Sequence, residues 1–388
     1  MSDASDASDS ADTSDESDLI LWCISMSYET IVIGAAQAGL SAGRELGLRG
    51  KRFLLLDADR RVGDGWRRRW DSLRLFTPAR YSGLPGLPFP APRYHLPCKD
   101  EVADYLEQYA AHFELPVRLD TWVRSVRRDG GGFVIETPRE AYEAANVIVA
   151  TGPFQRPRVP AFTGELAPDI VQLHSSGYRN PAALPAGDVL VVGAGNSGAQ
   201  IALELAQTRR VILAGRDTGS LPRRLLGRDI YDWIWPTILR ASTDSLIGRR
   251  LASRMVGGDP LVGITHGDIV AAGVTRAGRV IGVREGQPLL EDGTAAAVST
   301  VVWATGFGPD LSWLELPALD PSGRPLHRRG VSPVPGLYFL GQRLQAHLAS
   351  SLIGGVGRDA SEIVAHIARR RPHAGKIVHP IAMTESAL

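Results

Sequence analysis

Two copies of one local pattern constrain the fold of this chain more than any other feature: an apolar run, a glycine-rich turn and a helix-forming run. In the first copy, residues 28–33 lead into Gly34 and a turn that ends at Gly39. The next apolar run ends at Asp57, which lies 23 residues after Gly34. That spacing is typical of a βαβ unit that binds a dinucleotide. The pattern therefore predicts a nucleotide-binding module near the start of the chain.

The positions of the first turn differ in their expected tasks. Gly34 permits the sharp turn and Gly39 lets the helix lie close to the strand, while the helix N-terminus offers free N–H groups to a pyrophosphate. Asp57 is expected to accept hydrogen bonds from an adenosine ribose. Ala36 is a departure, because a glycine at this middle position would let the backbone approach the phosphates most closely. The residues predicted to contact this first nucleotide are Gly34, Ala36, Gln37, Ala38, Gly39 and Asp57.

The second copy of the pattern is complete at all three glycines. Residues 188–192 lead into the turn 193–198, and the following apolar run leads to Arg216, again 23 residues after the first glycine. One structural position is therefore predicted to carry a carboxylate in the first module and a guanidinium in the second. Aspartate suits a free ribose 2′-hydroxyl, whereas arginine suits a 2′-phosphate. The predicted contacts of this second nucleotide are Gly193, Gly195, Asn196, Ser197, Gly198 and Arg216.

Both modules close on the same tripeptide, Ala-Thr-Gly, with its threonine at Thr151 in the first and Thr305 in the second. These two threonines are added to the predicted cofactor contacts. Between the first turn and its closure, apolar residues at helical spacing over 99–113 predict an amphipathic helix, and the segment 129–132 predicts a hairpin. The repeat predicts an α/β protein with two Rossmann-like dinucleotide-binding domains of similar size.

Composition narrows the classes of function. A net charge of +1 over 388 residues gives no reason to expect nucleic acid as a partner. The two cysteines, Cys23 and Cys98, are too few and too far apart for a disulfide framework, a zinc site or a CxxC pair. We therefore expect no metal and no disulfide reductase, and a reducing, cytoplasmic location is the default expectation.

The first 26 residues differ in composition from the rest of the chain. Residues 1–18 hold six aspartates at a period of three and no basic residue. We expect a tail of this kind to be disordered, because it cannot bury enough apolar surface. Met26, directly before the first strand, is an alternative to Met1 as the true start.

The second module carries a helical insertion at residues 221–262. Its opening Leu-Pro-Arg-Arg turn offers Arg223 or Arg224 as an alternative to Arg216 for holding a phosphate. The insertion is basic and partly amphipathic, which is typical of a membrane-surface helix, but aspartates interrupt the basic face. These aspartates are Asp229, Asp232 and Asp244. We therefore expect a lid or substrate channel rather than membrane contact.

A long loop without periodicity follows the first module's acidic residue, and loops of this length are usually functional. Gly65 and Trp66 could lay backbone and an indole edge against a flat ring system. Alternatively, Trp66 and Trp70 are anchors of the core. Near the other end of the chain, Gly355 begins a glycine-rich helix, and such a helix start is favourable for an anion.

Taken in order, these motifs resemble the single-component flavin-dependent monooxygenases, a group that includes flavin-containing monooxygenases, plant YUCCA-type enzymes and bacterial CzcO-like flavoproteins. The motifs that carry the resemblance are the two glycine turns, Asp57, the Gly65-Trp66 loop, the two Ala-Thr-Gly closures, residues 174–179 and the terminal glycine-rich helix. The resemblance implies an FAD domain assembled from residues 27–155 and 308–375, a connection at 156–186 and an NADPH domain at 187–307.

The resemblance also implies where the cofactors lie. The FAD pyrophosphate would lie at the turn 34–39, its ribose at Asp57, and the flavin ring near Trp66 and Gly341. NADPH would lie over the turn 193–198, with its 2′-phosphate at Arg216. These positions are expectations that rest on the family pattern.

The activity that the resemblance implies is hydride transfer from NADPH to FAD, followed by oxygenation of a small organic substrate by dioxygen through a C4a-peroxyflavin. Phe76 stands where many relatives have an asparagine that faces the flavin, and phenylalanine cannot supply its hydrogen bonds. The alternatives are an NADPH-dependent reductase or oxidase that releases hydrogen peroxide, and a nucleotide sensor without turnover. No catalytic residue is assigned, because His174 is either structural or catalytic, and a homodimer is left open.

Overall fold

A computed structural model of the protein describes residues 26–255 and 258–370. The predicted tail, apart from Met26, lies outside the described residues, as do residues 371–375 of the predicted FAD domain. The α-helices of the described chain are α1 (Gln37–Gly47), α2 (Asp64–Arg67), α3 (Lys99–His112), α4 (Asn196–Leu205), α5 (Ile230–Ile234), α6 (Leu246–Met255), α7 (His266–Ala271) and α8 (Val356–Arg369). The strands are β1 (Met26–Ile33), β2 (Phe53–Leu56), β3 (Val117–Arg118), β4 (Ser125–Asp129), β5 (Gly132–Glu136), β6 (Ala141–Val149), β7 (Arg156–Pro157), β8 (Val171–His174), β9 (Val189–Val192), β10 (Val211–Ala214), β11 (Ser220–Leu221), β12 (Arg224–Leu225), β13 (Arg228–Asp229), β14 (Leu261–Val262), β15 (Thr275–Ala277), β16 (Val280–Arg284), β17 (Gln287–Leu290), β18 (Thr300–Trp303), β19 (Phe307–Gly308) and β20 (Leu337–Phe339).

The first module is built on a seven-stranded sheet with the order β3-β2-β1-β6-β5-β4, and β20 pairs with the free part of β6. Strands β1, β2 and β3 run parallel to one another. Strand β6 runs parallel to β1, and β20 runs parallel to β6. The predicted hairpin around residues 129–132 is confirmed as the antiparallel pair β4 and β5. Because β20 pairs Leu337 with Val147, the last strand of the described chain returns to the first sheet.

The second module is built on a parallel five-stranded sheet with the order β15-β10-β9-β18-β8. Its edge strand β8 lies inside the segment 156–186, which sequence reasoning assigned to a connection between domains. Strand β8 has only four residues and is flanked by prolines, so it is difficult to recognise in the sequence. It pairs with β18 from Val171 to His174. The parallel strands of both sheets, with their crossover helices, confirm the predicted α/β fold of Rossmann type.

Helix α3 holds the long loop of the first module in place. Its predicted apolar face is confirmed, because Val102, Tyr105, Leu106 and Tyr109 are buried. The Tyr105 hydroxyl donates to the carbonyl oxygen of Leu87 at 2.7 Å, and the Tyr109 hydroxyl donates to that of Pro85 at 2.7 Å. Two buried tyrosines therefore fix a loop that has no secondary structure of its own at this point.

The insertion 221–262 packs on the first module rather than standing away from it. The amide of Thr243 donates to the carbonyl oxygen of Ala346 at 3.0 Å, and the amide of Ala349 donates to that of Leu239 at 2.9 Å. A shared apolar cluster fills the seam between them; it includes Phe76, Tyr81, Tyr231, Leu239, Trp235 and Leu348. This placement agrees with the expectation of a lid or channel wall.

Asp232 on α5 fastens the insertion to the loop of the first module. Its carboxylate accepts hydrogen bonds from the Tyr81 hydroxyl at 2.5 Å and the Tyr94 hydroxyl at 2.7 Å. The guanidinium groups of Arg80 and Arg93 approach it at 3.3 Å. Burial alone would raise the pKa of Asp232, but the hydrogen bonds from Tyr81, Tyr94 and Arg80 together hold it below its usual value. Burial and the bond to Asp232 raise the pKa of Tyr81 to about 12, so this tyrosine stays a donor.

We expect Asp232→Asn to loosen the insertion, because the amide keeps the size of the side chain but loses its charge-assisted acceptors. Hydrogen bonds to a charged group contribute about 1.5–3 kcal/mol each, so the free energy of unfolding should fall by about 2 kcal/mol. Trypsin should cut the insertion at its arginines about tenfold faster, since opening would become easier by more than about 1.4 kcal/mol.

Asp244→Asn is the matched control for this change. Asp244 also lies in the insertion and meets Arg329 at 3.5 Å, but its side chain is 51% exposed. An exposed ion pair of this kind contributes little. Equal effects of the two substitutions in urea unfolding and in the rate of proteolysis would contradict the role given to Asp232.

Candidate functional site

The two glycine turns lie at the carboxyl ends of β1 and β9, where ligands bind in open parallel sheets. Gly34 has φ +104°, and a Cβ there would lie 2.8 Å from the carbonyl oxygen of Ala150. Gly193 has φ +111°, and a Cβ there would lie 2.3 Å from the carbonyl oxygen of Ala304. Each turn therefore lies directly against the Ala-Thr-Gly closure of its own module.

The last glycine of each turn lets the following helix approach the turn. A Cβ at Gly39 would lie 1.8 Å from the carbonyl oxygen of Gly34, and a Cβ at Gly198 would lie 1.8 Å from that of Gly193. Real side chains do not tolerate such distances from a backbone atom. The close approach expected of Gly39 is therefore present in both modules.

The middle positions of the two turns, Ala36 and Gly195, have nearly the same backbone. They precede α1 and α4 with φ −83° and −79°, and no side chain caps either helix. Alanine is unstrained at this φ, so the fold itself does not require glycine there. A Cβ at Gly195 would have no heavy atom within 4 Å, which leaves open space before α4. Both helices thus present uncapped N–H groups to that space.

The register of the strands corrects the predicted equivalence of Asp57 and Arg216. The amide of Gly34 donates to the carbonyl oxygen of Leu56, and the amide of Gly193 donates to that of Ala214. The residue equivalent to Asp57 is therefore Gly215, and Arg216 lies one position further along. The second module has one residue fewer between its first glycine and the end of its second strand, which equal counting along the sequence could not show.

Asp57 lies over the turn of its own module. Its carboxylate accepts hydrogen bonds from the amides of Ala35 at 2.5 Å and Asp59 at 2.8 Å. Burial raises the pKa of Asp57, although these two amides oppose the shift. In the second module Gly215 takes this place, and a Cβ there would lie 2.9 Å from the amide nitrogen of Ala194.

Arg216 is exposed at the edge of the second turn, on a loop that a second arginine holds. The guanidinium of Arg276 donates to the carbonyl oxygens of Leu213 at 2.9 Å and Gly215 at 3.2 Å. Burial lowers the pKa of Arg276. The guanidinium of Arg276 thus fixes the backbone directly before Arg216.

The alternative phosphate ligands lie elsewhere. The guanidinium of Arg223 donates to the carbonyl oxygen of Phe76 at 2.9 Å and meets Asp229 at 3.5 Å. It is therefore engaged with the seam between the insertion and the first module. Arg224 is exposed in the short strand β12.

Asn196 lies at the start of α4, and its side chain is engaged with the insertion; its contact with a cofactor stays a prediction. Its amide group donates to the carbonyl oxygen of Pro260 at 3.2 Å and accepts from the amide of Val262 at 3.1 Å. Only its backbone N–H remains for a ligand. Ser197, the next residue of α4, is exposed beside it.

Several predicted contacts of the first module do come together around the start of α1. The indole nitrogen of Trp66 lies 3.5 Å from the side-chain oxygen of Gln37. Gly341, with φ +82°, approaches so closely that a Cβ there would lie 2.9 Å from the Cβ of Ala38. Gly65 is exposed next to Trp66, whose ring packs partly against the main core. Trp70 is 4% exposed and is an anchor of the core.

The threonines of the two Ala-Thr-Gly closures differ in the hydrogen bonding of their hydroxyl groups. The hydroxyl of Thr151 is buried and has no hydrogen-bond partner, and its amide lies beside Gly34. The hydroxyl of Thr305 donates to the carbonyl oxygen of Arg158. Thr151 therefore has an unused polar group next to the first turn, whereas the Thr305 hydroxyl is engaged within the protein.

Two residues at this site were not predicted from the sequence. Gln342 follows Gly341 directly, and its side-chain nitrogen is buried without a partner. Arg69 projects between the modules, 5.4 Å from the ring centroid of Phe307, and burial lowers its pKa. No carboxylate of the described chain pairs with Arg69. A run of three arginines, 67–69, gives no signal as to which one reaches the second module, whereas the step from Gly341 to a polar residue could have indicated Gln342.

His174 is a structural residue in this arrangement. Its Nε2 lies 3.0 Å from the carbonyl oxygen of Gly306, and its Nδ1 lies 2.9 Å from the hydroxyl of Ser176. Burial lowers the pKa of His174. With both nitrogens engaged, the ring joins the end of β8 to the second closure.

The glycine-rich start of α8 serves packing. A Cβ at Gly354 would lie 2.3 Å from the carbonyl oxygen of Tyr81, and one at Gly357 would lie 2.1 Å from a ring carbon of Pro85. Tight contact with the loop explains these glycines without an anion. Among the residues that the structure describes, no cluster of histidine, cysteine and carboxylate side chains could hold a metal ion.

Comparison with known proteins agrees with this geometry. Residues 31–249 match the family described as pyridine nucleotide-disulphide oxidoreductases. The chain belongs to this family. It is 41% identical to the uncharacterized oxidoreductase CzcO of Bacillus subtilis, over 87% of this chain and 98% of the relative. It is 28% identical to the indole-3-pyruvate monooxygenase YUCCA4 of rice, over 88% of this chain and 87% of the relative.

Comparison with a solved structure also relates this chain to flavin-dependent oxidoreductases. The flavin-containing monooxygenase of Stenotrophomonas maltophilia matches with a TM-score of 0.73 and 30% identity, over 88% of this chain and 98% of that one. The resemblance to flavin-dependent monooxygenases is therefore confirmed, and the chain is an oxidoreductase. In the described ranges no helix is long and apolar enough to cross a membrane.

The middle and last glycines of the second turn predict losses of different size for the same substitution. Gly198→Ala should lower the free energy of unfolding by about 3 kcal/mol, because its Cβ would press on a backbone carbonyl. Gly195→Ala should lower it by no more than about 1 kcal/mol, because the site is open and its φ is negative. Urea unfolding followed by far-UV circular dichroism measures both. Equal losses would show that the close contact at Gly198 does not limit the fold.

Proposed function

We propose that the protein is an NADPH- and FAD-dependent oxidoreductase that oxygenates a small organic substrate with dioxygen. The observation that carries the proposal is the pair of uncapped helix N-termini at α1 and α4, each at the carboxyl end of a parallel sheet. Such positions bind the pyrophosphates of dinucleotides. The 30% identity to a flavin-containing monooxygenase supports the assignment of their ligands.

FAD fits the first module. Asp57 offers a carboxylate at the end of β2, where a ribose hydroxyl would donate to it. The hydroxyl of Thr151 and the side-chain nitrogen of Gln342 are buried without a partner. They need a polar partner, because buried polar groups are nearly always hydrogen-bonded. Trp66 offers a flat edge beside Gln37, and Gly341 offers a close backbone approach beside Ala38. These residues would hold and orient the cofactor.

NADPH fits the second module. The open space before α4 would take its pyrophosphate, and Gly215 leaves no carboxylate to repel a 2′-phosphate. Arg216, which the guanidinium of Arg276 holds in place through the backbone, would bind that phosphate. Relatives of the same fold include a steroid monooxygenase bound to NADP.

Arg69 would bind phosphate between the two modules. A partly buried cation without a carboxylate partner is favoured when an anion binds beside it. The pyrophosphate of either dinucleotide carries that charge. Arg69 lies between the loop of the first module and Phe307, which directly follows the second closure.

FAD supplies the redox chemistry and the activation of dioxygen when it is bound. The protein must bring the two cofactors together and exclude water. The apolar cluster of the seam, with Phe76, Tyr231 and Trp235, is suited to water exclusion. The side chain of Phe76 offers no hydrogen bond in this cluster, and this favours the second candidate function, an NADPH oxidase that releases hydrogen peroxide.

Product analysis distinguishes the two functions. The purified protein should release FAD on denaturation, and NADPH should be consumed with thioanisole or indole-3-pyruvate while oxygen from labelled dioxygen appears in the product. Hydrogen peroxide equal to the NADPH consumed with every probe would establish the oxidase instead. Release of FMN would contradict the proposed cofactor.

Substitutions of Arg216 and Arg69 should affect the binding of NADP⁺ and NAD⁺ differently. Arg216→Ala should weaken NADP⁺ binding by roughly ten- to hundredfold, since a charge-assisted contact contributes about 1.5–3 kcal/mol, and it should leave NAD⁺ unchanged. Arg69→Met should weaken both nucleotides by a similar factor, because both contain the pyrophosphate. Calorimetric titration of the oxidised, FAD-loaded protein measures the dissociation constants without turnover.

Matched controls come from neighbouring arginines. Arg224→Ala removes an exposed arginine from the alternative turn, and Arg68→Met removes one whose side chain is 56% exposed and pairs with Asp59. Neither should alter nucleotide affinity. Equal losses of NADP⁺ and NAD⁺ in Arg216→Ala would remove Arg216 from the 2′-phosphate, and unchanged affinities in Arg69→Met would remove that cation from the nucleotide.

A further inference from the structure

Exposed apolar side chains are concentrated in the insertion 221–262. Six of the fifteen large apolar residues that are exposed in the described chain lie there: Leu225, Leu226, Trp233, Ile238, Leu246 and Ile247. Leu226 is 82% exposed, Leu246 is 81% exposed and Ile247 is 71% exposed. Single exposed apolar residues are ordinary, but a concentration of them within one element marks an interaction surface.

The aspartates of the insertion are all engaged with arginines. Asp229 is buried against Arg223, and Asp232 is held by Arg80 and Arg93 of the first module. The remaining two aspartates pair with arginines outside the insertion: Asp244 with Arg329 and Asp259 with Arg343. The aspartates that interrupt the basic pattern in the sequence are therefore each offset by an arginine partner, although Asp244 and Asp259 are 51% and 47% exposed.

The outer side of the insertion is therefore basic as well as apolar. Its exposed arginines are Arg224, Arg228, Arg240, Arg249, Arg250 and Arg254. No carboxylate of the described chain forms an ion pair with any of them. Arg228 instead lies 5.7 Å from the ring centroid of Trp233.

Helix α6 shows the two-sided character most clearly. Leu251, Ala252 and Met255 pack into the cluster at the seam, and Gly248 is buried. On the other side, Leu246 and Ile247 are exposed in the first turn, followed by Arg249, Arg250 and Arg254. A helix with one side packed on protein and the other carrying leucine, isoleucine and arginine is suited to a lipid surface.

We propose that the outer face of the insertion, defined by the exposed residues of α6 and of the β12–β13 turn, docks on an anionic lipid bilayer. The arginines would meet lipid phosphates and carboxylates, and the exposed leucines and isoleucine would enter the interfacial region. The inference is independent of the proposed reaction, because it rests on the exposed face and not on the nucleotide sites.

The charge of the face decides between a bilayer and other occupants. In a two-fold dimer formed through this face, the same arginines would face each other, and none of them has a carboxylate partner in the described chain to offset their repulsion. A nucleic acid would use the arginines but gain little from Leu246 and Ile247. Only an anionic surface with an apolar interior satisfies both kinds of side chain.

Vesicle co-sedimentation of the FAD-loaded protein tests the proposal. At about 0.15 M salt, the protein should bind vesicles of phosphatidylcholine with about one third phosphatidylserine, and bind pure phosphatidylcholine far more weakly. Arg249→Gln combined with Arg250→Gln should reduce binding by roughly 25-fold, at about fivefold for each arginine. Leu246→Ser combined with Ile247→Ser should reduce it by at least about tenfold.

A matched control carries the same kinds of residue on another surface. Arg279, Ile281 and Arg284 are exposed on β16 of the second module, with Ile281 56% exposed. The triple change Arg279→Gln, Ile281→Ser and Arg284→Gln should leave vesicle binding unchanged. Flavin content and circular dichroism verify that each variant is folded.

Three results would overturn the proposal. The first is no binding of the wild-type protein to anionic vesicles. The second is binding that survives Leu246→Ser with Ile247→Ser and is matched by duplex DNA, which would show a general site for polyanions. The third is a concentration-dependent dimer in sedimentation velocity that this double change abolishes while vesicles remain unbound, which would assign the face to a second copy of the chain.

Discussion

Contact between backbone atoms at the ends of two parallel strands governs this structure. In the first module the Cα of Gly34 faces the carbonyl oxygen of Ala150, and in the second the Cα of Gly193 faces that of Ala304. No side chain fits between them, so the turn, the following helix and the closure of each module are held in one arrangement. That arrangement leaves the N–H groups of α1 and α4 uncapped at the edges of the sheets. The chemistry of the site depends on this backbone geometry before any side chain takes part.

The two modules share this backbone and differ in what stands at the end of the second strand. In the first, the carboxylate of Asp57 accepts the amide of Ala35, and burial keeps the group close to the turn. In the second, Gly215 takes that position and Arg216 follows it. A carboxylate repels a phosphate at the same edge, whereas a glycine followed by arginine accommodates one. A one-residue difference in length therefore changes the sign of the charge that a nucleotide would meet.

The regular parts of the fold could be predicted because apolar periodicity and glycine spacing are local signals. Both turns, α3, the β4–β5 hairpin and the start of α8 are examples. The tertiary contacts of the predicted site residues depend on distant parts of the chain and could not be predicted. The side chain of Asn196 is taken by the insertion some 60 residues away, and the hydroxyl of Thr305 by Arg158. Arg69 cannot be told from its two arginine neighbours, since only the approach of Phe307 from the second module distinguishes it.

The basic outer side of the insertion follows from how its inner side docks. Its four aspartates meet arginines, and three of them use arginines that lie outside the insertion, namely those at positions 80, 93, 329 and 343. Ion pairs with these arginines offset the negative charges of the segment. Apart from Arg223, which pairs with Asp229, the segment's own arginines have no carboxylate partner in the described chain and remain in solvent. Helical periodicity could not reveal this, because α5 is only five residues long and a π-helical turn, Trp235–Leu239, follows it directly. Charges that alternate along the sequence are thus separated by tertiary contacts into paired aspartates and exposed arginines without a carboxylate.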